Sequence, residues 1–171
     1  IGKDFSIIAD SGDNPTAGGV GDRADILEEV LRQKINKTLF AGIASKSAYE
    51  ALKDGNDFTL GGTYGGGGPP LKLKADHVYF KNDCAVASVS NTVVIITKLR
   101  RPFHNLKDFT DLKIDLKDFK TLIVKSGYLS PELQSLSAPT FMALTSGAVN
   151  QNIKGIENNN RLQKIYPFQD F

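Results

Sequence analysis

The sequence has few residues that bind metals or form covalent crosslinks. Its 171 residues include one cysteine and two histidines. A single cysteine, Cys84, excludes a framework of internal disulfides. It fits either a reducing compartment or a disulfide-free secreted fold, and of these two we predict a reducing compartment, the cytoplasm. We interpret Cys84 as a small buried residue of a strand. His77 and His104 belong to no metal-binding motif, so we expect neither a metal site nor another cofactor in this chain.

An excess of one charge and long apolar runs are also missing. The formal net charge is +2, and basic and acidic residues are interspersed, so nothing favours binding to nucleic acid. No apolar run approaches the roughly 20 residues of a membrane-spanning helix, so we expect no membrane insertion.

The length suits one domain with a substantial core. Because the chain begins at Ile1 rather than Met, we interpret it as a segment of a longer protein.

The first third has the pattern of alternating strands and helices. Apolar runs at residues 5–9 and 38–44 predict buried strands. Residues 23–35 have apolar side chains at helical spacing, and Ser45 is a suitable cap for a second helix that ends at Gly55. This order predicts a pair of parallel strands joined by a right-handed crossover.

The middle of the chain has the pattern of antiparallel strands. Residues 58–60 predict a short strand, followed by a glycine-rich loop at 61–70. The alternation of apolar residues changes phase near Asp76-His77, which predicts a β-bulge. Residues 85–89 and 93–97 flank a short turn and predict a hairpin.

The last third returns to the α/β pattern. It predicts strands at 121–124 and 140–144, and a short helix at 131–136 capped by Ser130. Residues 158–160 predict an exposed turn, and Pro167-Phe168 suit an extended tail. We therefore predict a single α/β domain over residues 1–171, whose mixed sheet has a parallel βαβ part and an antiparallel hairpin region.

The most polar and glycine-dense loop lies between the first strand and the first helix. It contains Asp10, Asp13, Asn14, Gly18 and Gly19. Ligands of open α/β sheets bind where strands end, and free N–H groups at such a loop favour anions. The loop lacks the Lys-Ser/Thr ending of a P-loop. A structural alternative is a strand-to-helix turn whose carboxylates accept hydrogen bonds from the loop itself. We also place Asp22 and Asp25 in the first turn of the following helix.

Three predicted strands end in small polar residues and glycine. The endings are Asp10-Ser11-Gly12, Lys125-Ser126-Gly127 and Thr145-Ser146-Gly147. If these strands are parallel neighbours, their ends form one polar rim, and Asp10, Lys125 and Ser146 lie close together. The candidate substrate-binding residues are Asp10, Asp13, Asn14, Gly18, Gly19, Lys125, Ser126 and Ser146.

Each charged candidate has two interpretations. The carboxylates Asp10 and Asp13 either orient a substrate or shape the loop, and Lys125 either binds a substrate carboxylate or pairs with these acids. Arg100 and Arg101 suit a solvated corner or ion pairs with nearby acidic residues. Because we expect the loop to lie at the surface, replacing Asp13 by Ala should lower turnover more than stability.

Several spaced motifs resemble one protein family. The loop from Asp10 to Asp22 is similar to an Asp-x-x-Asp-Asn-Pro-Gly-Gly-Gly signature followed by Gly-Asp and a helix, with Thr16 and Ala17 in place of glycines. Further matching segments are Gly68-Pro69-Pro70-Leu71, Val124-Lys125-Ser126, residues 143–147 and Tyr166-Pro167. Collinear from about Phe5 to its end, the chain resembles the C-terminal domain of the MlrC family, named for an enzyme of microcystin degradation.

The resemblance implies a zinc-dependent peptidase or amidohydrolase. The zinc ligands then belong to a larger N-terminal domain of the same polypeptide, which would be the partner of this chain. This chain would form one wall of the cleft for a peptide- or amide-like substrate and hold no catalytic residue. It departs from the family at Gly127-Tyr128-Leu129, where a His often follows the Lys-Ser pair. An anion- or small-ligand-binding regulatory module, a structural or dimer-forming domain, and a homo-oligomer remain open alternatives.

Overall fold

The structure of the protein, a computed structural model, describes residues 2, 4–65, 67–156 and 166. Its strands are β1 (Ser6–Asp10), β2 (Thr38–Ala44), β3 (Asp57–Leu60), β4 (Leu71–Lys74), β5 (His77–Lys81), β6 (Cys84–Val89), β7 (Thr92–Thr97), β8 (Thr121–Val124) and β9 (Thr140–Ala143). Its helices are α1 (Asp25–Arg32), α2 (Lys46–Asp54), α3 (Leu106–Thr110) and α4 (Pro131–Gln134). Short 3₁₀ turns occupy Pro15–Ala17, Leu116–Asp118 and Ile153–Gly155.

Local signals explain where the first two helices begin and end. The Ser45 hydroxyl accepts the Ala48 N–H and caps α2, which ends at Gly55 as predicted. Helix α1 is shorter than predicted at both ends. Its start is delayed because the Arg23 N–H bonds to the Asp13 side chain, and it ends at Arg32, two residues before Lys34 adopts a left-handed backbone with φ of 55°.

The main sheet has seven strands in the order β5-β6-β7-β2-β8-β1-β9. The neighbours from β7 to β9 are parallel, whereas β5, β6 and β7 pair in antiparallel fashion. This arrangement confirms the predicted mixed α/β fold and its hairpin. The predicted parallel relation of β1 and β2 is present, and β8 lies between them and pairs with both. Strand β8 fits this central place because its residues from Leu122 to Val124 are apolar and fully buried.

The phase change near Asp76-His77 marks a transfer between sheets rather than the predicted bulge. Strand β4 pairs with β3 in a separate two-stranded sheet, whereas β5 pairs with β6 in the main sheet. The Ala75 N–H bonds to Asn56 O, and the Asp76 N–H bonds to Ser88 O. The consecutive residues Ala75 and Asp76 therefore hydrogen-bond to different sheets, and the buried face of the chain changes between them.

Apolar side chains cover both faces of the main sheet. One core contains Leu27 of α1, Leu52 of α2, and Phe58 and Leu60 of β3. The opposite core contains Phe109 of α3 and Leu133 of α4, which Ser130 caps as predicted. The predictions for residues 158–160 and Pro167-Phe168 lie outside the described residues. Within the described ranges, no helix combines the length and apolar character needed to cross a membrane.

Candidate functional site

The ends of β8, β1 and β9 meet at one edge of the sheet, which we call the carboxyl edge. In register, Val124 of β8 lies beside Ala9 of β1, and Ala143 of β9 lies beside Asp10. The helix that follows β1 packs on one face of the sheet and the helix that follows β8 packs on the other. Such a divergence opens a crevice where ligands of α/β proteins bind. The predicted convergence of the three strand ends is therefore present.

A buried ion-pair cluster connects β8 to the first loop. The Lys125 Nζ lies 2.9 Å from Asp10 Oδ2 and 3.1 Å from Asp13 Oδ2. The three side chains are between 1% and 4% exposed. Burial removes water from all three charges, so each depends on the others for compensation. Lys125 thus forms ion pairs with both acids, which is the second of the two interpretations that the sequence left open.

Asp13 also organises the backbone of its own loop. Its Oδ1 accepts the Gly21 N–H and its Oδ2 accepts the Arg23 N–H, both at 2.8 Å. The carboxylate closes the loop in the manner of the structural alternative. The expectation that Asp13 lies at the surface is wrong, because its residue exposure is 1%. The Asp13 carboxylate bonds to the N–H of Arg23, ten residues further along the chain, and this contact keeps the side chain away from solvent.

The rest of the loop divides into buried and exposed candidates. Asn14 is buried, and its Oδ1 accepts the Thr16 N–H at 2.9 Å. Gly19 is buried and donates its N–H to Asn14 O, whereas Gly18 is exposed with a left-handed φ of 102°. Of the predicted loop candidates, Gly18 is therefore the one open to a ligand in this conformation.

Residues 145–151, which we call the strap, cross over the ends of β1 and β8. The Thr145 hydroxyl donates to Asp10 Oδ1 and accepts the Gly12 N–H, and the Val149 N–H bonds to Gly12 O. A Cβ at Gly12 would lie 1.9 Å from Thr145 O, so the backbones touch directly. Thr145, which the sequence interpretation omitted, holds Asp10, whereas the predicted Ser146 is exposed. The shared Thr-Ser-Gly ending was the available signal for Thr145.

Ser126 is buried and stabilises the end of β8. Its N–H bonds to Asp10 O at 3.1 Å, and its hydroxyl donates to Tyr128 O. Its hydroxyl is therefore engaged with the backbone of the chain.

Asp22 is a second functional candidate that the sequence interpretation missed. It precedes α1 instead of lying in its first turn, and its residue exposure is 0%. Its Oδ2 accepts the Thr63 and Tyr64 N–H groups at 3.2 Å, whereas its Oδ1 has no partner among the described residues. Burial raises the pKa of Asp22, and the Asp13 charge adds to this rise, against the opposing effect of the two N–H groups. Asp22 thus joins the second glycine-rich loop to the first.

A cavity of about 340 Å³ opens between these two loops. Its lining residues are Gly18, Val20, Ala44, Tyr64, Lys98, Leu99 and Arg100. The Arg100 Nη1 donates to Gly19 O at 2.9 Å, and Lys98 pairs with Asp83 at 3.2 Å. The Arg100 guanidinium beside exposed Gly18 makes this cavity suitable for an anionic group, whereas Asp83 compensates the charge of Lys98. Arg101 instead pairs with Asp108, which is one of the interpretations that the sequence left open.

A larger cavity of about 490 Å³ beside α3 is mainly apolar and lies away from these loops.

The potential metal ligands among the described residues are dispersed or already ion-paired. Within them, no three His, Cys, Asp or Glu side chains come together as a possible ligand set. The carboxylates of Asp10 and Asp13 are engaged by Lys125. His77 lies on the exposed edge strand β5, and His104 lies in the loop before α3.

Comparisons with known proteins relate most of the chain to one family. The family described as MlrC C-terminus matches residues 8–160. A search of curated proteins found no significant match. Among solved structures, the crystal structure of a "putative metallopeptidase" from Mesorhizobium sp. BNC1 matches with a TM-score of 0.70 and 16% identity. The match covers 98% of this chain and 38% of that chain. At this identity the likeness shows a shared fold.

The family match covers most of the chain, and it confirms the resemblance carried by the loop, Gly-Pro-Pro and Val-Lys-Ser motifs. The protein belongs to the MlrC C-terminus family.

Proposed function

We propose that this chain is the C-terminal domain of a zinc-dependent peptidase or amidohydrolase and forms one wall of its substrate cleft. Membership of the MlrC C-terminus family and the fold shared with a metallopeptidase-named protein support this proposal. The zinc ion and its hydrolytic chemistry belong, in this proposal, to the N-terminal domain of the same polypeptide. This chain holds and orients the substrate and supplies no catalytic residue.

The observation that carries the proposal is the cationic cavity at the carboxyl edge. Lys98 and Arg100 line it beside the exposed backbone of Gly18, together with Tyr64 of the second loop. A carboxylate of a peptide- or amide-like substrate would find a charge-assisted partner in Arg100. The cavity also lies where α/β sheets bind their ligands.

The buried candidates have a positioning role in this proposal. Asp10, Asp13 and Lys125 fix the first loop, and Asp22 fixes the second loop upon it. A substrate group would then contact the outer surface of the loops, at Gly18 and Arg100, with Ser146 exposed on the strap. Rigid support of this kind holds a binding surface in its productive geometry.

Kinetics of the full-length, zinc-loaded polypeptide test this proposal. The substrates are N-benzoylglycine, which has a carboxylate, and N-benzoylglycinamide, which is neutral at that position. Arg100→Met should raise KM for the acid by about tenfold to a hundredfold, because a hydrogen bond to a charged group contributes about 1.5–3 kcal/mol. KM for the amide should remain unchanged.

Arg32→Met is the matched control, because Arg32 is exposed and pairs with Glu29 on α1. It should leave both KM values unchanged. Equal effects of Arg100→Met on the two substrates would contradict recognition of an anion by the cavity. Hydrolysis by the 171-residue chain alone would contradict its non-catalytic role, and failure of the full-length protein to hydrolyse either substrate would favour the ligand-binding alternative.

A further inference from the structure

The main sheet loses its cover at the β9 edge. Phe40, Ile123, Ile8 and Phe141 lie side by side on neighbouring strands β2, β8, β1 and β9. Phe40 and Ile123 are 0% exposed, Ile8 is half-buried, and Phe141 is 58% exposed. Exposure thus increases along one row of apolar side chains toward the edge.

The opposite face of the sheet shows the same change. Val124, Ala9 and Met142 form the next row, because successive residues of a strand face opposite sides. Val124 and Ala9 are 1% and 2% exposed, whereas Met142 is 40% exposed. Strand β9 is therefore partly exposed on both faces, although β1 beside it is largely buried.

The backbone edge of β9 is uncovered as well. Within the described ranges β9 pairs with β1 alone, so the other side of its backbone is unpaired. Its four residues include no charged side chain, and Leu144 directly after it is 57% exposed. The opposite edge strand, β5, ends in Lys81, a charge of the kind that protects free edges. Within the part of the chain that the structure describes, the β9 edge has no such protection, and an exposed apolar edge of this kind is typical of an interaction surface.

We propose that Phe141, Met142 and Leu144, with the free backbone edge of β9, form the interface with the N-terminal domain of the same polypeptide. The chain belongs to a family of C-terminal domains, and it spans 38% of the protein whose fold it shares. The remaining length of such a polypeptide supplies a covalently attached partner at high local concentration. The inference rests on this family membership and does not require zinc-dependent catalysis.

The position of β9 gives this interface a consequence for the site. Thr145 follows the strand by two residues and bonds to Asp10 through its hydroxyl. A domain seated on the β9 edge would therefore lie beside the strap and the first loop. The same contact would place the two halves of the polypeptide around the carboxyl edge.

Photo-crosslinking of the full-length polypeptide tests the proposal. With p-benzoylphenylalanine in place of Phe141, irradiation followed by peptide mapping should link position 141 to residues that precede Ile1. The same replacement at Lys107, whose side chain is 77% exposed on α3, is the control and should give no such product. A link from position 141 to a second copy, a link to residues 157–171 or no link would overturn the proposal.

A measurement on the unsubstituted protein covers the case in which the replacement prevents folding. Met142 is the only methionine among the 171 residues, so its oxidation by peroxide is readily mapped. In the native full-length polypeptide Met142 should oxidise at least about tenfold more slowly than after denaturation, because reaction requires opening of the interface. Equal oxidation rates of Met142 in the native and the denatured polypeptide would overturn the proposal. Protection of Met142 that disappears when the protein is diluted to a monomer would also overturn it, because a second copy would then be the partner.

Discussion

The Lys125 ammonium lies 3.1 Å from the carboxylate of Asp13, which precedes it by 112 residues in the sequence. The same ammonium lies 2.9 Å from Asp10. This contact fixes the first glycine-rich loop to the central strand β8. Because the three charges are buried, the geometry of the carboxyl edge depends on their mutual compensation.

Replacing Lys125 by Met should destabilise the protein strongly. The variant leaves two buried carboxylates without their cation, and loss of one partner of a buried ion pair costs about 3–5 kcal/mol. Denaturant unfolding followed by circular dichroism measures this change. Lys120→Met is the control, because Lys120 is exposed and lies 3.6 Å from Asp4, and an exposed pair contributes about 0–1 kcal/mol. Equal free energies of unfolding for the two variants would show that the cluster is not a support of the fold.

Replacing Gly12 by Ala should displace the strap. The new Cβ would meet Thr145 O at 1.9 Å, and overpacking of this kind costs about 1–3 kcal/mol or more. Gly65→Ala is a suitable control, since its Cβ would meet no atom within 4 Å, and we expect a change within about 0.5 kcal/mol. Thermal unfolding compares the two. A Gly12→Ala protein as stable as the control would mean that the strap does not contact the loop as described.

Asp22 should make the free energy of unfolding depend on pH. Its pKa is raised in the folded state, chiefly by burial, from an ordinary value of 3.8. The folded protein therefore holds this proton more tightly, so the stability present below that ordinary value is lost as pH rises through the folded pKa. Asp22→Asn keeps an oxygen for the Thr63 and Tyr64 N–H groups and removes the charge. Denaturant unfolding from pH 4 upward should show a smaller loss of stability for the variant, and identical slopes would refute the assignment.

The 171-residue chain should bind no stoichiometric zinc. The described residues lack a clustered set of metal ligands, and the carboxylates of Asp10 and Asp13 are engaged by Lys125. Metal analysis of the purified chain checks this expectation. One tightly held zinc per chain that disappears in His77→Ala or His104→Ala would contradict it.

The fold was largely predictable because its strands and caps carry local signals. Buried apolar runs marked β2 and β8, and Ser45 and Ser130 marked the starts of α2 and α4. The place of β8 between β1 and β2 was not predictable, because local pattern does not determine which parallel strands become neighbours. The transfer of the chain between sheets at Ala75 produces the same change of phase as a bulge, so the sequence alone did not distinguish them.

The candidate site was predictable in its location but not in its burial. The shared polar endings indicated that Asp10 and Lys125 meet at the carboxyl edge, and they do. The burial of Asp13 depends on the distant Lys125 and on N–H groups ten residues onward, contacts that no local pattern reveals. Asp22 and Arg100 were missed for a similar reason, because their partners belong to loops far apart in the sequence.

The central claim is that this chain forms the wall of a cleft whose zinc is held by the other domain. A crystal structure of the full-length polypeptide, with anomalous data collected at the zinc absorption edge, tests it most directly. The account predicts a zinc ion ligated by residues that precede Ile1 and facing the cavity of Gly18, Tyr64 and Arg100. Zinc ligated by His77 or His104, or zinc on the side of the domain away from the carboxyl edge, would contradict it.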